Sequence, residues 1–271
     1  MSRPTKAVIV AAGMGRRLSP YTDEMPKCLV PVADRPMLAW QLDAFRAHGV
    51  NEFVIIRGYK GDVLQARVGE LGDGIRFVDN DDYRTNNILW SLFKAEAELD
   101  GPYLVTYSDI IYTPAVVQAL VESPGDVALV IDQDFRDVYV GRSDHPLEEA
   151  EVSDLDDDGN VERVGKRALP VQDAWGEFIG LARFSEQGAQ WMRDAWHTLR
   201  GEYRGRDDDP FQRAGAFRNA YLTDMLQHLI DAGRPVTPVG IRGQWREIDT
   251  VQDLERARAL LGSKTAKEDW K

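Results

Sequence analysis

The chain has 271 residues, of which 43% are hydrophobic and 29% are charged. This balance is typical of a folded protein rather than a disordered one. The formal net charge of −12 repels phosphate backbones, and the single cysteine, Cys28, excludes an intrachain disulfide and a multi-cysteine zinc site. We therefore expect a protein that does not bind nucleic acid in general and that meets an anionic ligand only where positive charge is locally concentrated.

The N-terminal residues lead directly into a strand-like run and lack the long apolar core of a signal peptide. No apolar run in the sequence approaches the ~20 residues of a membrane span. These patterns predict a soluble, cytoplasmic protein without a membrane partner.

Short apolar runs alternate with helical patterns through the first half of the chain. The runs read as strands buried on both faces, and the stretches between them have helical spacing. The predicted strands are residues 7–12, 53–56, 75–78, 103–107 and 127–131, and the predicted helices are residues 36–48, 61–71, 87–99 and 114–122. This alternation predicts a doubly wound α/β sheet.

The pattern changes after Asp132. Residues 150–166 predict a β-hairpin around an Asp-Asp-Gly-Asn turn, and Thr223 predicts the N-cap of a helix. Further strands are predicted at 178–182 and 236–241, with helices at 186–200, from 223 to 233 and from 249 onwards. The acidic series Asp154-x-Asp156-x-Asp158 resembles the start of an EF-hand loop, but position 12 is Gly165 rather than Glu, so we interpret it as a hairpin turn.

A glycine-rich loop with nearby positive charge follows the first strand. Glycines let the backbone approach a ligand, and consecutive N–H groups can bind phosphate oxygens. Arg16, Arg17 and Lys27 supply the cations. Leu18 stands where a dinucleotide-binding fingerprint has glycine, and no Gly-Lys-Ser/Thr of a Walker loop follows. The stretch predicts a phosphate-binding loop of another kind.

The series Gly-x-Gly-x-Arg-Leu followed by Pro-Lys resembles the nucleoside-triphosphate transferases, which load sugar phosphates and alcohol phosphates onto nucleotides. The resemblance covers nearly the whole chain and implies a Rossmann-like doubly wound mixed sheet with an added β-hairpin lobe. Since no repeat or linker divides the sequence, we expect one domain over residues 1–261. Its nucleotide-binding part would span about 1–131 and its acceptor-binding part about 132–261, followed by a polar tail at 262–271.

Two aspartates in the second half of this pattern are candidate metal ligands. Ser108-Asp109 stands where the family usually has Gly-Asp at a strand end, with that Asp binding the catalytic magnesium. Asp249 in the segment Glu-Ile-Asp-Thr resembles the residue that supplies the second ligand. Carboxylate oxygens are the ligands that Mg²⁺ prefers, so the resemblance implies an Mg²⁺ cofactor held by Asp109 and Asp249.

Several segments resemble the phosphocholine and phosphonate cytidylyltransferases within this superfamily. They are residues 83–88, 165–166, 176–180 and 245–249. The resemblance implies transfer of CMP from CTP to phosphocholine or to a small phosphonate of the 2-aminoethylphosphonate or hydroxyethylphosphonate type, with release of pyrophosphate. We also expect that two chains can assemble as a homodimer.

The resemblance also distributes roles among single residues. Arg17 and Lys27 would be catalytic. The candidate nucleotide-binding residues are Ala11, Ala12, Gly13, Met14, Gly15, Arg16, Asn87 and Ser108, and the candidate acceptor-binding residues are Tyr139, Lys166, Glu177 and Trp245.

The chemical character of the acceptor stays open in the sequence. A quaternary ammonium would favour an aromatic cage, for which the candidates are Phe135, Tyr139, Trp175 and Trp245. A primary ammonium would favour a carboxylate, for which the candidates are Asp132, Asp134, Asp137 and Glu177, and a neutral hydroxyl needs neither. His145 is a further residue that could touch the substrate. Two alternative functions are a sugar-1-phosphate nucleotidyltransferase and a non-catalytic, nucleotide-binding regulatory domain.

Overall fold

The computed structural model describes residues 3–262 and residue 270, and these residues form thirteen β-strands and eight α-helices. The strands are β1 (Lys6–Ala11), β2 (Pro31–Val32), β3 (Arg35–Pro36), β4 (Glu52–Arg57), β5 (Ile75–Asp79), β6 (Tyr103–Tyr107), β7 (Ile110–Tyr112), β8 (Val127–Asp132), β9 (Glu151–Leu155), β10 (Val161–Lys166), β11 (Gly176–Phe184), β12 (Val236–Ile241) and β13 (Trp245–Glu247). The helices are α1 (Met37–Arg46), α2 (Gly61–Ala66), α3 (Ile88–Lys94), α4 (Pro114–Glu122), α5 (Phe135–Tyr139), α6 (Glu186–Glu202), α7 (Leu222–Asp231) and α8 (Val251–Gly262).

One large mixed sheet runs through the molecule in the order β10-β9-β11-β6-β1-β4-β5, with β8 pairing to β11 and β12 pairing to β8. Strands β6, β1, β4 and β5 are mutually parallel, whereas β11 runs antiparallel to β6, β8 and β9. The hairpin β9–β10 extends the sheet through β9. The predicted mixed α/β sheet is confirmed.

Both faces of the sheet are covered by helices. On one face Val8 of β1 packs in a core with side chains of α3, α6 and α7, and on the other face Ala7 and Ile9 pack with side chains of α1 and α4. Successive residues of a strand point to opposite faces, so a strand between two helical layers must be apolar throughout. This is why the first predicted strand reads as a continuous apolar run.

The predictions were wrong at several element boundaries. Helices α2 and α3 are shorter than predicted, and α5, β7 and β13 were not predicted. Thr223 lies inside the first turn of α7, because Tyr221 is the N-cap and the carboxylate of Asp224 accepts the Tyr221 backbone N–H at 2.8 Å. The Asp-rich stretch is a turn, as predicted, in which Asp156 accepts the backbone N–H groups of Asp158 and Asn160.

A two-stranded ladder outside the main sheet fixes the position of the strand-end aspartates. Strand β7 pairs antiparallel with β13, with Ile110 opposite Glu247. The backbone N–H of Ile248 then donates to the carbonyl oxygen of Asp109 at 2.8 Å. Since Asp249 follows Ile248 directly, the ladder brings Asp109 and Asp249 to the same end of the sheet.

A buried amide supports the turn that carries Asp109. Gln41 of α1 is fully buried, and its Nε2 donates to the carbonyl oxygens of Tyr107 at 2.7 Å and Ile110 at 2.6 Å. These two carbonyls bracket Ser108-Asp109, so one side chain pins both ends of the segment.

The C-terminal end differs in part from the predicted polar tail. Gly262 closes α8, and Trp270 is buried edge-on against Trp40, with 6.5 Å between the ring centroids. The remaining tail residues, 263–269 and 271, lie outside the described residues. Among the described helices, none combines the length and the apolar character that crossing a bilayer would require.

We expect Gln41→Leu to lower the free energy of unfolding by about 1–3 kcal/mol, because it removes the amide donor that binds the carbonyl oxygens of Tyr107 and Ile110 in a buried position. Urea unfolding followed by circular dichroism measures this change. Gln118→Leu is the matched control, since Gln118 is exposed on α4 and its amide donates to Glu122 one turn along the same helix. An unfolding free energy for Gln41→Leu equal to that of the control would contradict the assigned role.

Candidate active site

The glycine-rich loop packs directly against the side chain of Lys27. Gly15 has a φ of +59°, a left-handed conformation that glycine adopts without steric cost. A Cβ at this position would lie 2.9 Å from the Cβ of Lys27. Thr22 secures the loop from the other side by donating to the Gly15 carbonyl at 3.0 Å. The second glycine of the motif is thus required both by backbone conformation and by contact with Lys27.

Lys27 joins the two aspartates predicted as metal ligands. Its side chain is buried, and its ammonium lies 2.9 Å from Oδ2 of Asp109 and also donates to Oδ1 of Asp249. Burial alone would lower the pKa of Lys27, but the charges of Asp109 and Asp249 outweigh this effect and raise the pKa above its usual value. Lys27 therefore remains positively charged at physiological pH.

Asp249 is held ionised by three neighbours. Lys27 pairs with one carboxylate oxygen, while Arg17 and His145 contact the other, with His145 Nδ1 at 3.2 Å. Burial would raise the pKa of Asp249, yet Lys27, the hydrogen bond from His145 and the charge of Arg17 hold the pKa well below its usual range. The structure thus brings together Arg17, Lys27, Asp109 and Asp249, as the sequence predicted.

The donor set at this position fits a divalent cation. Oδ1 of Asp109 is buried, and no group among the described residues forms a hydrogen bond with it. A buried carboxylate oxygen without a partner is costly, and a hard cation such as Mg²⁺ satisfies it. Asp249 presents a second carboxylate to the same ammonium, so the two acidic side chains converge on one point.

Behind these residues lies a buried network that the sequence analysis did not identify. Arg142 donates to Asp253 at 2.6 Å and to Glu247 at 2.8 Å, and one of its nitrogens lies 3.1 Å from His145 Nδ1. Ligand atoms of His145, Glu247 and Asp249 lie within 4.8 Å of one another. The network fixes the orientation of Asp249. Glu247 could have been suspected because it stands two residues from Asp249, whereas the pairing of Arg142 with Asp253 and Glu247 forms only in the folded chain.

The first of two adjoining cavities has a volume of about 310 Å³ and lies over the glycine-rich loop. Most of the predicted nucleotide-binding residues line it: Ala12, Gly13, Gly15, Arg16, Asn87 and Ser108, together with Arg17, Lys27, Asp109 and Asp249. Two predicted residues, Ala11 and Met14, do not line this cavity. Ala11, at the end of β1, is buried in the core on one face of the sheet, and the sulfur of Met14 lies 3.4 Å from Nη2 of Arg16. Tyr83, Asn86 and Ser91 complete the lining on the side of α3.

The second cavity has a volume of about 250 Å³ and shares Arg17, Asp109 and Asp249 with the first. Of the predicted acceptor-binding residues, Lys166, Glu177 and Trp245 line it. Tyr139 stands behind the wall and donates its hydroxyl to Glu177 at 2.7 Å. Further lining residues that were not predicted as acceptor contacts include Glu149, Glu151, Tyr221 and Glu247.

The two cavities differ in charge. The first contains Arg16, Arg17 and Lys27, which suits a polyanion. The second is lined by four glutamates, two of them buried (Glu151 and Glu177) and two half-buried (Glu149 and Glu247). Burial raises the pKa of Glu151 to about 8, and burial together with the charge of Glu247 raises the pKa of Glu177 well above its usual value. Lys166 pairs with Glu149 at 3.0 Å. A cation entering the second cavity would thus meet carboxyl groups that lack a full set of partners.

Comparison with known proteins agrees with this geometry. Residues 7–261 match the family model of the MobA-like NTP transferase domain. The CTP:phosphoglutamine cytidylyltransferase of Campylobacter jejuni is 31% identical over 255 residues, which cover 92% of this chain and 97% of that protein. The 2-aminoethylphosphonate cytidylyltransferase of Lancefieldella rimae is 27% identical over 251 residues, covering 92% and 90% of the two chains.

The solved structure of the CTP:phosphocholine cytidylyltransferase from Streptococcus pneumoniae has the same fold, with a TM-score of 0.70 at 22% identity, covering 96% of this chain and 100% of that one. The resemblance to nucleoside-triphosphate transferases, predicted from the loop and the two aspartates, is confirmed. The resemblance to cytidylyltransferases, predicted from residues 83–88, 165–166, 176–180 and 245–249, is also confirmed. The chain belongs to the MobA-like NTP transferase family and is a nucleotidyltransferase.

Proposed function

We propose that this protein is an Mg²⁺-dependent cytidylyltransferase. It transfers CMP from CTP to a small phosphonate, of the 2-aminoethylphosphonate or hydroxyethylphosphonate type, or to phosphocholine, and releases pyrophosphate. The observation that carries this proposal is that a cationic cavity and a glutamate-rich cavity meet at Arg17, Asp109 and Asp249. The relatives that use CTP and a small phosphorylated or phosphonate acceptor support the choice of substrates.

The first cavity is suited to the triphosphate. The loop from Gly13 to Gly15 presents backbone to the cavity, and Arg16 and Arg17 lie beside it. Glycine-rich backbone and guanidinium groups are both efficient ligands for phosphate oxygens. The nucleoside would extend toward Tyr83, Asn86 and Asn87, which line the opposite wall.

Asp109 and Asp249 are the residues that would hold Mg²⁺. When bound, the ion would neutralise charge on the phosphate oxygens and help to orient them. The unpartnered buried oxygen of Asp109 is the feature of this chain that favours such a ligand.

The reaction needs little acid–base chemistry from the protein. An oxygen of the acceptor phosphate or phosphonate is already anionic, so it can form the new bond to the α-phosphorus of CTP without a general base. The bond from that phosphorus to the pyrophosphate oxygen breaks, and pyrophosphate carries away the electron pair. The barrier then consists mainly of repulsion between anions, which is lowered by positioning and by fixed positive charge.

Lys27 and Arg17 supply fixed positive charge at the junction of the two cavities, where both contact Asp249. The pKa of Lys27, raised by Asp109 and Asp249 against the effect of burial, makes it a permanent cation rather than a proton donor. Arg17 lines both cavities, so it can contact the nucleotide and the acceptor together. These two residues would screen the approaching anions and the leaving pyrophosphate.

Incubating the protein with each nucleoside triphosphate, Mg²⁺ and a panel of acceptors, with pyrophosphate release as the readout, tests the proposal. We expect turnover with CTP and with at least one small phosphonate or phosphocholine, and loss of turnover when a chelator removes the metal. Turnover with a hexose 1-phosphate and none with the small acceptors would instead support a sugar-1-phosphate nucleotidyltransferase.

We expect Asp109→Asn and Asp249→Asn each to lower kcat by about a hundredfold or more, equivalent to ~3 kcal/mol of transition-state stabilisation, because each removes a proposed ligand of the metal. Asp157→Asn in the exposed hairpin turn is the matched control. Pyrophosphate release measures the rate, and circular dichroism verifies folding. Turnover unchanged in both site variants would refute the metal assignment.

For Lys27→Met we expect kcat to fall more than the affinity for CTP, since the charge of Lys27 acts chiefly as the new bond forms. Steady-state kinetics combined with equilibrium binding of CTP separates the two effects. Lys94→Met is the control, because it removes a cation from an exposed ion pair with Asp82. A loss confined to CTP binding, with kcat preserved, would contradict the assigned role.

A further inference from the structure

The second cavity contains a carboxylate oxygen that no group of the described protein satisfies. Glu177 on β11 is 4% exposed, and its Oε1 accepts the hydroxyl of Tyr139 at 2.7 Å. Its Oε2 is buried, and no described residue forms a hydrogen bond with it. A buried acceptor left in this state costs free energy unless a ligand supplies a donor. Because Glu177 lines the cavity, the missing donor can come from a molecule bound there.

The charge of the cavity indicates the sign of that donor. Six of the described lining residues carry carboxyl groups, and two, Arg17 and Lys166, are permanent cations. Lys27 and Arg142, outside this lining, pair with Asp109, Asp249 and Glu247. Lys166 is already paired with Glu149 at 3.0 Å. A neutral donor would leave this excess of carboxyl groups unchanged, whereas a cationic donor both fills the hydrogen bond and offsets the charge.

Glu151 is the second carboxyl group that faces the same space. It lies on β9, where the next residue, Val152, is the register partner of Glu177. Its Oε2 accepts a long hydrogen bond, at 3.3 Å, from the hydroxyl of Tyr107. Burial raises the pKa values of Glu151 and Glu177, so a bound cation would favour the ionised form of each.

The other carboxylates considered for this role are committed elsewhere or lie away from the cavity. Asp132 accepts the indole N–H of Trp245 at 2.7 Å and the backbone N–H of Gly243 at 2.8 Å. Asp134 pairs with Arg242 on the surface, and Asp137 is exposed on α5. Glu177 alone among the four candidates lines the second cavity.

An aromatic cage for a quaternary ammonium would not satisfy the free oxygen of Glu177. Phe135 and Tyr139 are packed in a buried cluster behind the wall, and Lys166 lies 5.1 Å above the ring of Tyr221. A trimethylammonium group has no N–H, so it cannot satisfy the free oxygen of Glu177. A primary ammonium carries three donors, which is enough for hydrogen bonds to both Glu177 and Glu151 in the same cavity.

We propose that Glu177, assisted by Glu151, binds a protonated primary amine on the acceptor and thereby selects amine-bearing acceptors over their quaternary and hydroxyl analogues. The inference rests on the proposed cytidylyltransferase activity and narrows its acceptor class. Glu177 contacts the acceptor at the end remote from the reacting phosphorus, so it determines specificity without taking part in bond formation.

The test compares acceptors that differ only at the distal group. With CTP and Mg²⁺, kcat/KM is measured for 2-aminoethylphosphonate, for its N-trimethyl analogue and for 2-hydroxyethylphosphonate, and also for phosphoethanolamine against phosphocholine. We expect the primary amine to exceed the matched analogue by at least about tenfold in each series, because a site built to bind N–H donors discriminates against ligands that lack them. Equal or higher kcat/KM for either analogue overturns the inference while leaving the cytidylyltransferase proposal intact.

The variant Glu177→Gln tests whether Glu177 causes the preference for amine-bearing acceptors. Glu177→Gln should raise KM for the amine acceptor at least about tenfold and leave KM for CTP and for the hydroxyl acceptor within about twofold. Glu148→Gln, at an exposed glutamate in the segment before β9, should change none of these values. An equal loss with every acceptor in folded Glu177→Gln would show a structural role and overturn the inference.

Two further outcomes are decisive. If Glu177→Gln does not fold, Glu151→Gln takes its place in the kinetic comparison. Calorimetry then also measures the binding of the amine and trimethyl acceptors to the wild-type protein. Equal affinity of the wild-type protein for the two ligands overturns the inference. If no acceptor releases pyrophosphate from CTP, the proposed function itself fails and the inference falls with it.

Discussion

A single buried ammonium group organises the candidate site. Lys27 bridges Asp109 and Asp249, which are far apart in the sequence, and each of the three charges would be costly to bury without the others. The backbone is built around this contact. Gly15 adopts the conformation that leaves room for the Lys27 side chain, and the β7–β13 ladder sets the aspartates side by side. The charged side chains of the site therefore position one another through their own ion pairs.

The charge pattern explains how an acidic chain can handle anionic substrates. The formal net charge of −12 is spread over the molecule, while Arg16, Arg17 and Lys27 are concentrated on one loop and its support. Across the junction the lining changes to glutamates. A zwitterionic acceptor, anionic at the reacting end and cationic at the other, matches this reversal of charge along the cavities.

Much of the fold could be predicted because the parallel strands are apolar on both faces and are separated by helical spacing. The aspartates of the site could be predicted because they stand in recognisable local motifs. Strands β7 and β13 could not be predicted, since three residues carry too little periodicity to distinguish a strand from a loop. The network of Arg142, His145 and Glu247 was missed because its members meet only in three dimensions. At α7, Thr223 was the conventional cap in the sequence, but a reciprocal pair of Tyr221 and Asp224 serves instead.

The β7–β13 ladder has a consequence for how such proteins diversify. Asp109 directly precedes β7, and Asp249 lies two residues after β13. Gln41 binds the backbone on both sides of Asp109, and Arg142 binds Asp253, which accepts the backbone N–H of Asp249. The stretch from α5 to β11 carries Glu149, Glu151 and Glu177, and it does not contribute to the β7–β13 ladder. Exchange of side chains along that stretch can alter which small molecule is accepted without moving the phosphate-handling end. Substitutions in the wall of the second cavity can therefore leave the support of the two aspartates intact.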